Sequence, residues 1–321
     1  MKKTLQMLIF ALCLLLGGCC PEEVAVLPPD TRPSVDASYT LLVKTETGVE
    51  AMGLRDYLAG VLLEEMPADF STEALKAQAI AARTYALRKA ATARHPDAHV
   101  CSQSSCCQGW SSIDACDEAV ARRLYHAVDE TDGLVLTYEG ALIDATFFSC
   151  SGGRTESAVA VWGGDVPYLQ AVDSPGEEAA PVFQEERHWS AEELRTLLQE
   201  ALPEAVLTGA PETWFTELQY SPGGGVETLK LGGVALSGTG LRQLLGLRST
   251  RLSIELREDQ ICIRTYGYGH RVGLSQYGAQ AMAQAGSSYQ EILQHYYQGT
   301  RLQKLSPGTQ TGQEEALNGA G

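Results

Sequence analysis

The amino-acid sequence predicts an α+β fold of mixed helices and short antiparallel strands, organised around a helix-hinge-helix unit. Helical and strand-like segments follow one another without the regular βα alternation that marks a parallel sheet. Pro67 separates two helical patterns within Leu54–Lys89, and Gly-rich stretches separate the strand patterns further along. We expect one folded domain over 38–303, with a second lobe at about 175–260 as an alternative partition.

The N-terminus is typical of a targeting segment. Lys2 and Lys3 precede an apolar run over 5–16, and Leu16-Gly17-Gly18-Cys19 is similar to a bacterial lipobox. Residues 1–20 are therefore either a signal whose Cys19 becomes lipidated or an uncleaved membrane anchor, although the run is short of the roughly 20 residues that span a bilayer. Both alternatives place the rest of the chain outside the cytoplasmic membrane. Residues 21–37, rich in Pro and acidic residues, predict a linker.

The two central helices are predicted from periodicity and end signals. Five apolar residues share one face of the first, over 54–65: Leu54, Tyr57, Leu58, Val61 and Leu62. Pro67 ends it, because the residue before a proline is pushed out of the α region. The second runs from about Ser71 to Lys89, can be capped by Asp69 or Ser71, and is rich in alanine. Such a small-sided helix allows close packing.

Shorter elements surround these helices. Alternation of apolar and polar residues predicts strands, and amphipathic periodicity with capping residues predicts helices. The predicted elements are a strand or hairpin at 39–50, a helix at 117–130, a hairpin of 134–138 with 141–148, a helix at 191–201, short strands to about 257, and helices at 275–284 and 289–297. The polar tail, 304–321, predicts disorder.

The net charge of −16 excludes some functions. A nucleic-acid groove needs clustered Lys and Arg to neutralise phosphates, and no such cluster is visible in the sequence. The same charge disfavours electrostatic attachment to an anionic membrane surface.

Glu65 is the candidate general acid. It lies in the last turn of its predicted helix, where the carbonyl ends make a negative pole, and it has apolar neighbours. Both features disfavour the carboxylate and should raise its pKa, which suits a general acid near neutral pH. The alternative is a surface glutamate beside Glu64. Arg83, on the second helix among alanines, has space to hold its guanidinium against substrate or structure.

His95, Cys101, Cys106 and Cys107 form a second candidate site. Thiolates and an imidazole are ligands for tetrahedral zinc, but the spacing matches no common zinc motif. A disulfide or free thiols beside a histidine are equal alternatives.

Two Gly-rich stretches carry further candidates. In FFSCSGG, at 147–153, Cys150 could act as a nucleophile with His270, although a tight turn lining a groove is the favoured interpretation. In GYGHRVG, at 267–273, the glycines, Tyr268 and His270 suggest a surface suited to sugar rings, and His270 could bind substrate or move a proton.

Five stretches in order resemble one family. They are EMPADFSTEALKAQAIAARTYAL, FSCSGGRTES with VWGGDVPYLQAV, LRQLLGLRST, GYGHRVGLSQYGAQAMA and EILQHYYQGT. Together they resemble the stage II sporulation protein D family, which includes the amidase enhancer of vegetative autolysins. The resemblance spans roughly 38–303. It implies an extracytoplasmic, membrane-anchored peptidoglycan lytic transglycosylase that acts in forespore engulfment, on glycan already stripped of its peptides.

The resemblance also implies roles for single residues. The family's catalytic glutamate, in its E-M-P motif, corresponds to Glu65, and structural zinc in some members corresponds to the His95 cluster. With the aromatic surface above, the expected substrate-binding residues are Arg83, Ser149, Ser151, Gly152, Tyr268, His270 and Gln276. The chain departs from the family pattern at Cys106, Cys150 and Arg271. These departures bear on the metal ligands and on the shape of both Gly-rich loops.

The resemblance implies a mechanism, partners and a rival function. Glu65 would protonate the glycosidic oxygen between MurNAc and GlcNAc, and the sugar's own 6-hydroxyl would close a 1,6-anhydro ring. No cofactor is required for this step. Expected partners are glycan strands, an amidase or endopeptidase of the engulfment machinery and its membrane anchor protein. The rival is a non-catalytic glycan-binding enhancer of a cell-wall amidase, and a third hypothesis is a Cys150/His270 peptidase.

Overall fold

The computed structural model describes residues 34–92, 95–257 and 260–307, and it confirms the α+β class. The helices are α1 Val35–Ser38, α2 Leu54–Glu65, α3 Thr72–Thr92, α4 Glu118–Asp129, α5 Ala158–Trp162, α6 Ala191–Ala201, α7 Gly238–Leu244, α8 Gln276–Gln284 and α9 Tyr289–Tyr296. Within these described ranges, no helix is long and apolar enough to cross a membrane.

The strands are short and form small sheets. They are β1 Thr40–Lys44, β2 Val49–Gly53, β3 Val100–Cys101, β4 Leu134–Tyr138, β5 Ala141–Leu142, β6 Phe147–Phe148, β7 Gln184–Ser190, β8 Phe215–Tyr220, β9 Val226–Leu231, β10 Val234–Ser237, β11 Leu252–Arg257, β12 Gln260–Tyr266, β13 Leu274–Ser275 and β14 Arg301–Lys304. Their orders are β2-β1-β3, β10-β9-β8, β11-β12-β7, β13-β6 and β14-β4-β5. Most pairs are antiparallel, and β13 pairs with β6 in parallel.

The main core is built around α2 and α3. The predicted apolar face of α2 is buried, and α2 ends at Glu65, just before the Met66-Pro67 hinge. On α3, thirteen residues from Ala74 to Leu87 are buried, including six alanines. Their small side chains let α2, α4, β4, α8 and α9 all pack around this one helix. The alanine content thus places α3 at the centre of the domain.

A second apolar cluster lies between β7 and β12. It contains residues from Leu194 to Ile263, and the largest of them is Trp214, which is fully buried. This cluster falls within the range in which the sequence suggested a second lobe. Glu156, in the segment that precedes α5, forms a buried ion pair with Arg271. The hydroxyl of Ser221, in the turn after β8, donates to the same carboxylate and joins that turn to the segment.

Four boundary predictions need correction or lie outside the described residues. The linker prediction is wrong for residues 34–37, since Val35 and Asp36 are buried in the domain. The hairpin partner of β4 ends at Leu142, because Phe147–Phe148 pairs with β13 instead. The tail begins later than 304, because β14 includes Lys304 and the Leu305 N–H donates to the Gly133 carbonyl. Cys19, the rest of the linker and residues 308–321 lie outside the described ranges.

Candidate active site

Three distant segments meet at the carboxyl group of Glu65. The last turn of α2 presents the side chain, which is half-buried. Its Oε1 accepts a hydrogen bond of 2.6 Å from the backbone N–H of Gly109. Its Oε2 accepts a longer one, 3.4 Å, from the Nε2 of Gln276 at the start of α8. The structure therefore brings together Glu65 and Gln276 from the predicted set, and it adds Gly109.

The surroundings raise the pKa of Glu65 above its usual value. Burial is the largest cause, and the neighbouring Glu64 adds to it through charge repulsion. The hydrogen bonds from Gly109 and Gln276 act in the opposite direction, because they stabilise the anion. Burial prevails, so the protonated acid persists to higher pH than in an exposed glutamate.

The loop that carries Gly109 is fitted closely onto α2. A Cβ at position 109 would lie 2.9 Å from the Oε1 of Glu65 and 2.7 Å from the Cγ of Glu64, so only glycine fits. The indole of Trp110 lies over Gly60, where a Cβ would approach its Nε1 to 2.2 Å. The Ser111 N–H donates to the Gly60 carbonyl over 3.3 Å. These contacts fix the donor that faces the acid.

The predicted Cys/His cluster lies just before this loop. The Nε2 of His95 is 3.3 Å from the Sγ of Cys107 and 3.9 Å from that of Cys106. With Cys101, the four ligand atoms all lie within 4.8 Å of one another. Ligand atoms around tetrahedral zinc, with bonds of about 2.0–2.3 Å, are about 3.3–3.8 Å apart, so this donor set fits zinc with small adjustments. The described cysteines form no disulfide.

A second group of metal-binding residue types is less suited to a cation. Glu186, His188 and Cys262 meet the same distance limit on the outer face of the β7–β12 sheet. However, the Glu186 carboxylate is already paired with Arg257 and Arg264. Two positive charges at this carboxylate oppose a metal ion.

Arg83 lies in the core and not on an open surface, which does not support the predicted substrate contact. Its side chain is fully buried, and its Nε donates to the Oδ1 of Asp36 over 2.8 Å. The Nη2 donates to the Oδ2 of Asp36 over 2.5 Å, and the guanidinium also donates to the backbone carbonyls of Leu134 and Val128. The guanidinium is thus used within the core.

Ser151 and Gly152 are also buried, which does not support the prediction that they contact substrate. Ser151 is fully buried, and its hydroxyl donates to the carboxylate of Glu177 over 2.6 Å. Gly152 has φ 71°, and a Cβ there would lie 2.6 Å from the carbonyl carbon of Tyr266. The S-G-G motif therefore builds a tight turn against β12.

The other predicted binding residues, Ser149, Tyr268 and His270, are each partly or largely exposed. His270 is flanked by the rings of Phe148 and Trp162, with centroids 5.6 Å and 5.3 Å away. Burial lowers its pKa to about 4, so the imidazole is neutral at physiological pH. Tyr268 and Trp162 are 44% and 50% exposed, which leaves flat aromatic area free for contact. Ser149 is half-buried, and its carbonyl accepts the Tyr277 N–H.

Cys150 lacks the features of a nucleophile. Its thiol is buried and donates to Glu177, and burial followed by the charge of that carboxylate raises the thiol pKa to about 12. The Nδ1 of His270 accepts the Val272 N–H, not the thiol proton. A buried thiol with a raised pKa, not bonded to the predicted base His270, does not support the peptidase hypothesis.

Comparison with known proteins gives consistent matches. The family described as "SpoIID: Stage II sporulation protein" matches residues 43–138. A stage II sporulation protein D of Bacillus amyloliquefaciens is 38% identical over 267 residues, which cover 79% of this chain and 75% of the relative. That of Bacillus subtilis (strain 168) is 35% identical over 302 residues, 88% of this chain and 85% of the relative. An amidase enhancer of the same organism is 31% identical over 296 residues, 76% of this chain and 40% of the relative.

Proposed function

Because the chain belongs to the stage II sporulation protein D family, we propose that it is a peptidoglycan lytic transglycosylase with Glu65 as its single acid and base. Its relatives support a role in sporulation. The observation that carries the proposed reaction is the half-buried Glu65 carboxyl, whose pKa is raised while two donors face its oxygens. We propose that the substrate is denuded glycan and that the process is forespore engulfment.

The proposed reaction needs one carboxyl group. The Glu65 acid gives its proton to the oxygen that links MurNAc C1 to GlcNAc, and the C1–O bond breaks with oxocarbenium-like character. The MurNAc 6-hydroxyl oxygen then bonds to C1, and the Glu65 carboxylate takes the hydroxyl proton. No water is activated on the far face, so the second carboxylate of hydrolytic glycosidases has no counterpart. Gly109 and Gln276 stabilise the carboxylate while it exists, and the longer contact at Oε2 leaves that oxygen to carry the proton.

The experiment for this proposal is mass spectrometry of the products from denuded glycan strands and purified protein. We expect new 1,6-anhydro ends without any partner protein. Products with only reducing ends would assign hydrolysis instead, and an unchanged strand would exclude enzymatic cleavage of this substrate.

The rate should depend on pH through Glu65. The general acid is active only when protonated, so we expect the rate to fall as pH rises through its raised pKa. The midpoint of that fall should lie above the 4.5 of an ordinary glutamate. Initial rates of anhydro-end formation across the pH range of the stable fold measure it. A midpoint at or below the ordinary value would contradict the assignment.

The second candidate is a glycan-binding enhancer of a cell-wall amidase. The similarity to a protein named amidase enhancer favours it, and the exposed Trp162 and Tyr268 offer stacking surfaces for sugar rings. In this case the purified protein would retain glycan and cut nothing, but would accelerate a partner amidase. We propose such an amidase or endopeptidase, with its membrane anchor protein, as partners under either candidate. We likewise propose an extracytoplasmic location, with attachment through Cys19 or an uncleaved anchor.

We propose that His95, Cys101, Cys106 and Cys107 hold structural zinc, because their ligand atoms converge and suit that ion. Zinc bound there would join three points of the segment 95–107, namely His95, Cys101 at the end of β3, and Cys106-Cys107. Because Gly109 follows Cys107 by two residues, this cross-link would hold the loop whose N–H faces Glu65.

The Cys107→Ser variant tests the zinc site. We expect bound zinc to fall from about one equivalent to well below that, and Tm to drop by at least about 5 °C, because binding energy at a structural site is folding energy. Elemental analysis and thermal unfolding measure the two effects. Cys116→Ser, which alters a thiol outside the cluster, is the matched control and should change neither. Equal zinc in both variants would overturn the site.

A further inference from the structure

Glu177 is a buried carboxylate that none of the proposed steps uses. It is 1% exposed, and its oxygens accept hydrogen bonds from several parts of the chain. The donors are the Ser151 N–H at 3.1 and 3.2 Å, the Ser151 hydroxyl at 2.6 Å, the Gly153 N–H at 3.0 Å, the Ser174 hydroxyl at 3.0 Å, the Cys150 thiol at 3.6 Å and the Ser275 hydroxyl. A buried carboxylate requires such donors, and here they come from three parts of the chain, 150–153, Ser174 and Ser275.

Ser275 links this carboxylate to the candidate active site. Its hydroxyl donates to the Oε1 of Glu177 and accepts the Gly278 N–H over 3.3 Å, so it is the N-cap of α8. The next residue, Gln276, is the first of that helix, and its side chain donates to Glu65. Only two covalently joined residues thus separate the buried carboxylate from the acid.

The start of α8 is also pressed against Glu177. A Cβ at position 278 would lie 2.9 Å from the Oε1 of Glu177 and 2.0 Å from the Tyr296 hydroxyl, so glycine alone allows this approach. The Ser174 hydroxyl, which bonds to both Glu177 and Tyr296, closes the contact from the other side. The position of the first turn of α8 is therefore set by bonds that converge on this carboxylate.

We propose that Glu177 is a positioning residue for the acid: through Ser275 it fixes the first turn of α8, and so fixes the Gln276 amide against the Glu65 carboxyl. The inference rests on the proposed function for its catalytic meaning, but not for its geometry. The proposal also gives one shared role to two sequence motifs, S-G-G at 151–153 and G-L-S-Q at 273–276. Both supply donors, Ser151, Gly153 and Ser275, to the same buried group.

The expected readout is the titration of Glu65. The groups that act on it are the charge of Glu64 on its own helix, the Gly109 N–H from the loop and the Gln276 amide from α8. Near Glu177 lie the Cys150 thiol, the charge of Arg271 and the Tyr296 hydroxyl. Loss of the Gln276 bond removes a contact that stabilises the Glu65 anion, so the pKa of Glu65 should rise further.

The test measures the Glu65 pKa directly, by ¹³C NMR titration of carboxyl-labelled glutamate, with the resonance assigned by its absence in Glu65→Gln. We expect Gln276→Ala to raise the midpoint by about half a pH unit, the effect of losing one long hydrogen bond to the carboxylate. Glu177→Gln should shift it in the same direction. Combining Glu177→Gln with Gln276→Ala should add no further shift, because both changes remove one contact.

Controls separate this inference from a merely structural role. Glu178→Gln, the exposed neighbour in the same turn, should leave the midpoint unchanged. If Glu177→Gln does not fold, Ser275→Ala keeps the carboxylate, removes its link to α8 together with the N-cap bond to Gly278, and should give the same shift. An unshifted midpoint in the folded variant, or additive shifts in the double variant, would overturn the proposal. The titration needs no turnover, so a wild type that forms no anhydro ends would refute the proposed function and leave this result standing.

Discussion

The Glu65→Gln variant should form 1,6-anhydro ends at least about 10²-fold more slowly than the wild type, to below detection. Glutamine cannot give a proton to the glycosidic oxygen, yet its amide has the size of the carboxyl it replaces. Mass spectrometry of products from denuded glycan measures the loss. Undiminished anhydro product would remove Glu65 from its role and leave the enhancer function as the better account.

The same variant should be at least as stable as the wild type near neutral pH. A carboxyl whose pKa is raised in the fold binds protons more tightly there than in the unfolded chain. Stability therefore falls as pH rises from the unfolded pKa through the folded one, and it stays lower above both. Glutamine carries no charge and escapes this loss. Thermal unfolding at neutral pH should show an equal or higher Tm, which separates lost chemistry from lost folding.

Glu64→Gln is the matched control, since it changes the adjacent carboxylate. Glu64 is exposed and bonds to the Ser111 hydroxyl. Its loss should keep the activity and lower the midpoint of the pH profile slightly, because one charge that repels the Glu65 anion is gone. A loss of activity equal to that of Glu65→Gln would mean that the two carboxylates act together.

Local sequence signals predicted the frame of the candidate site well. Pro67 ends a helix for steric reasons that act on the residue before it, so the end of α2 at Glu65 followed from the sequence. The start at Leu54 followed from the apolar periodicity. The raised pKa of Glu65 was also predictable in direction, although its largest cause is tertiary burial and not the helix end alone.

Long-range contacts were not predictable from the same signals. Gly109 lies 44 residues from Glu65, and no local pattern marks its N–H as the donor. No local pattern marks Glu177 either, because six of its seven donor contacts come from residues at least 24 positions away. Trp162 entered the sequence analysis only as part of VWGGDVPYLQAV, one of the stretches that resemble the family, and not as a candidate binding residue. These residues can be identified only by knowing which distant residues they contact, and a single sequence does not contain that information.

At Arg83, a correct local observation did not reveal the partner of the guanidinium. The alanines around it do leave room for a guanidinium, as the sequence indicated, but the room is filled by Asp36, which lies in the predicted linker. Acidic and proline-rich composition predicts a linker on average. It does not reveal that one of those acids has a buried partner 47 residues away.

Replacing Arg83 with Met should lower the free energy of unfolding by about 3–5 kcal/mol, because it leaves the Asp36 carboxylate buried without its cation. Asp36→Asn should also be destabilising. Urea denaturation at neutral pH measures both. Arg122→Met, which breaks a surface pair with Glu118, is the control and should change stability by less than about 1 kcal/mol. An equally small effect for Arg83→Met would show that the buried pair does not hold the fold.

The double variant Asp36→Leu/Arg83→Met tests whether Arg83 has a structural role or binds substrate. With both charges gone, no buried ion lacks a partner, so the double variant should recover much of the stability lost by Arg83→Met alone. It should also keep the KM for glycan, because Arg83 contacts Asp36 and backbone carbonyls in the core. A stable double variant with a strongly raised KM would instead return Arg83 to the substrate groove, and would require the Arg83–Asp36 pair to open when glycan binds.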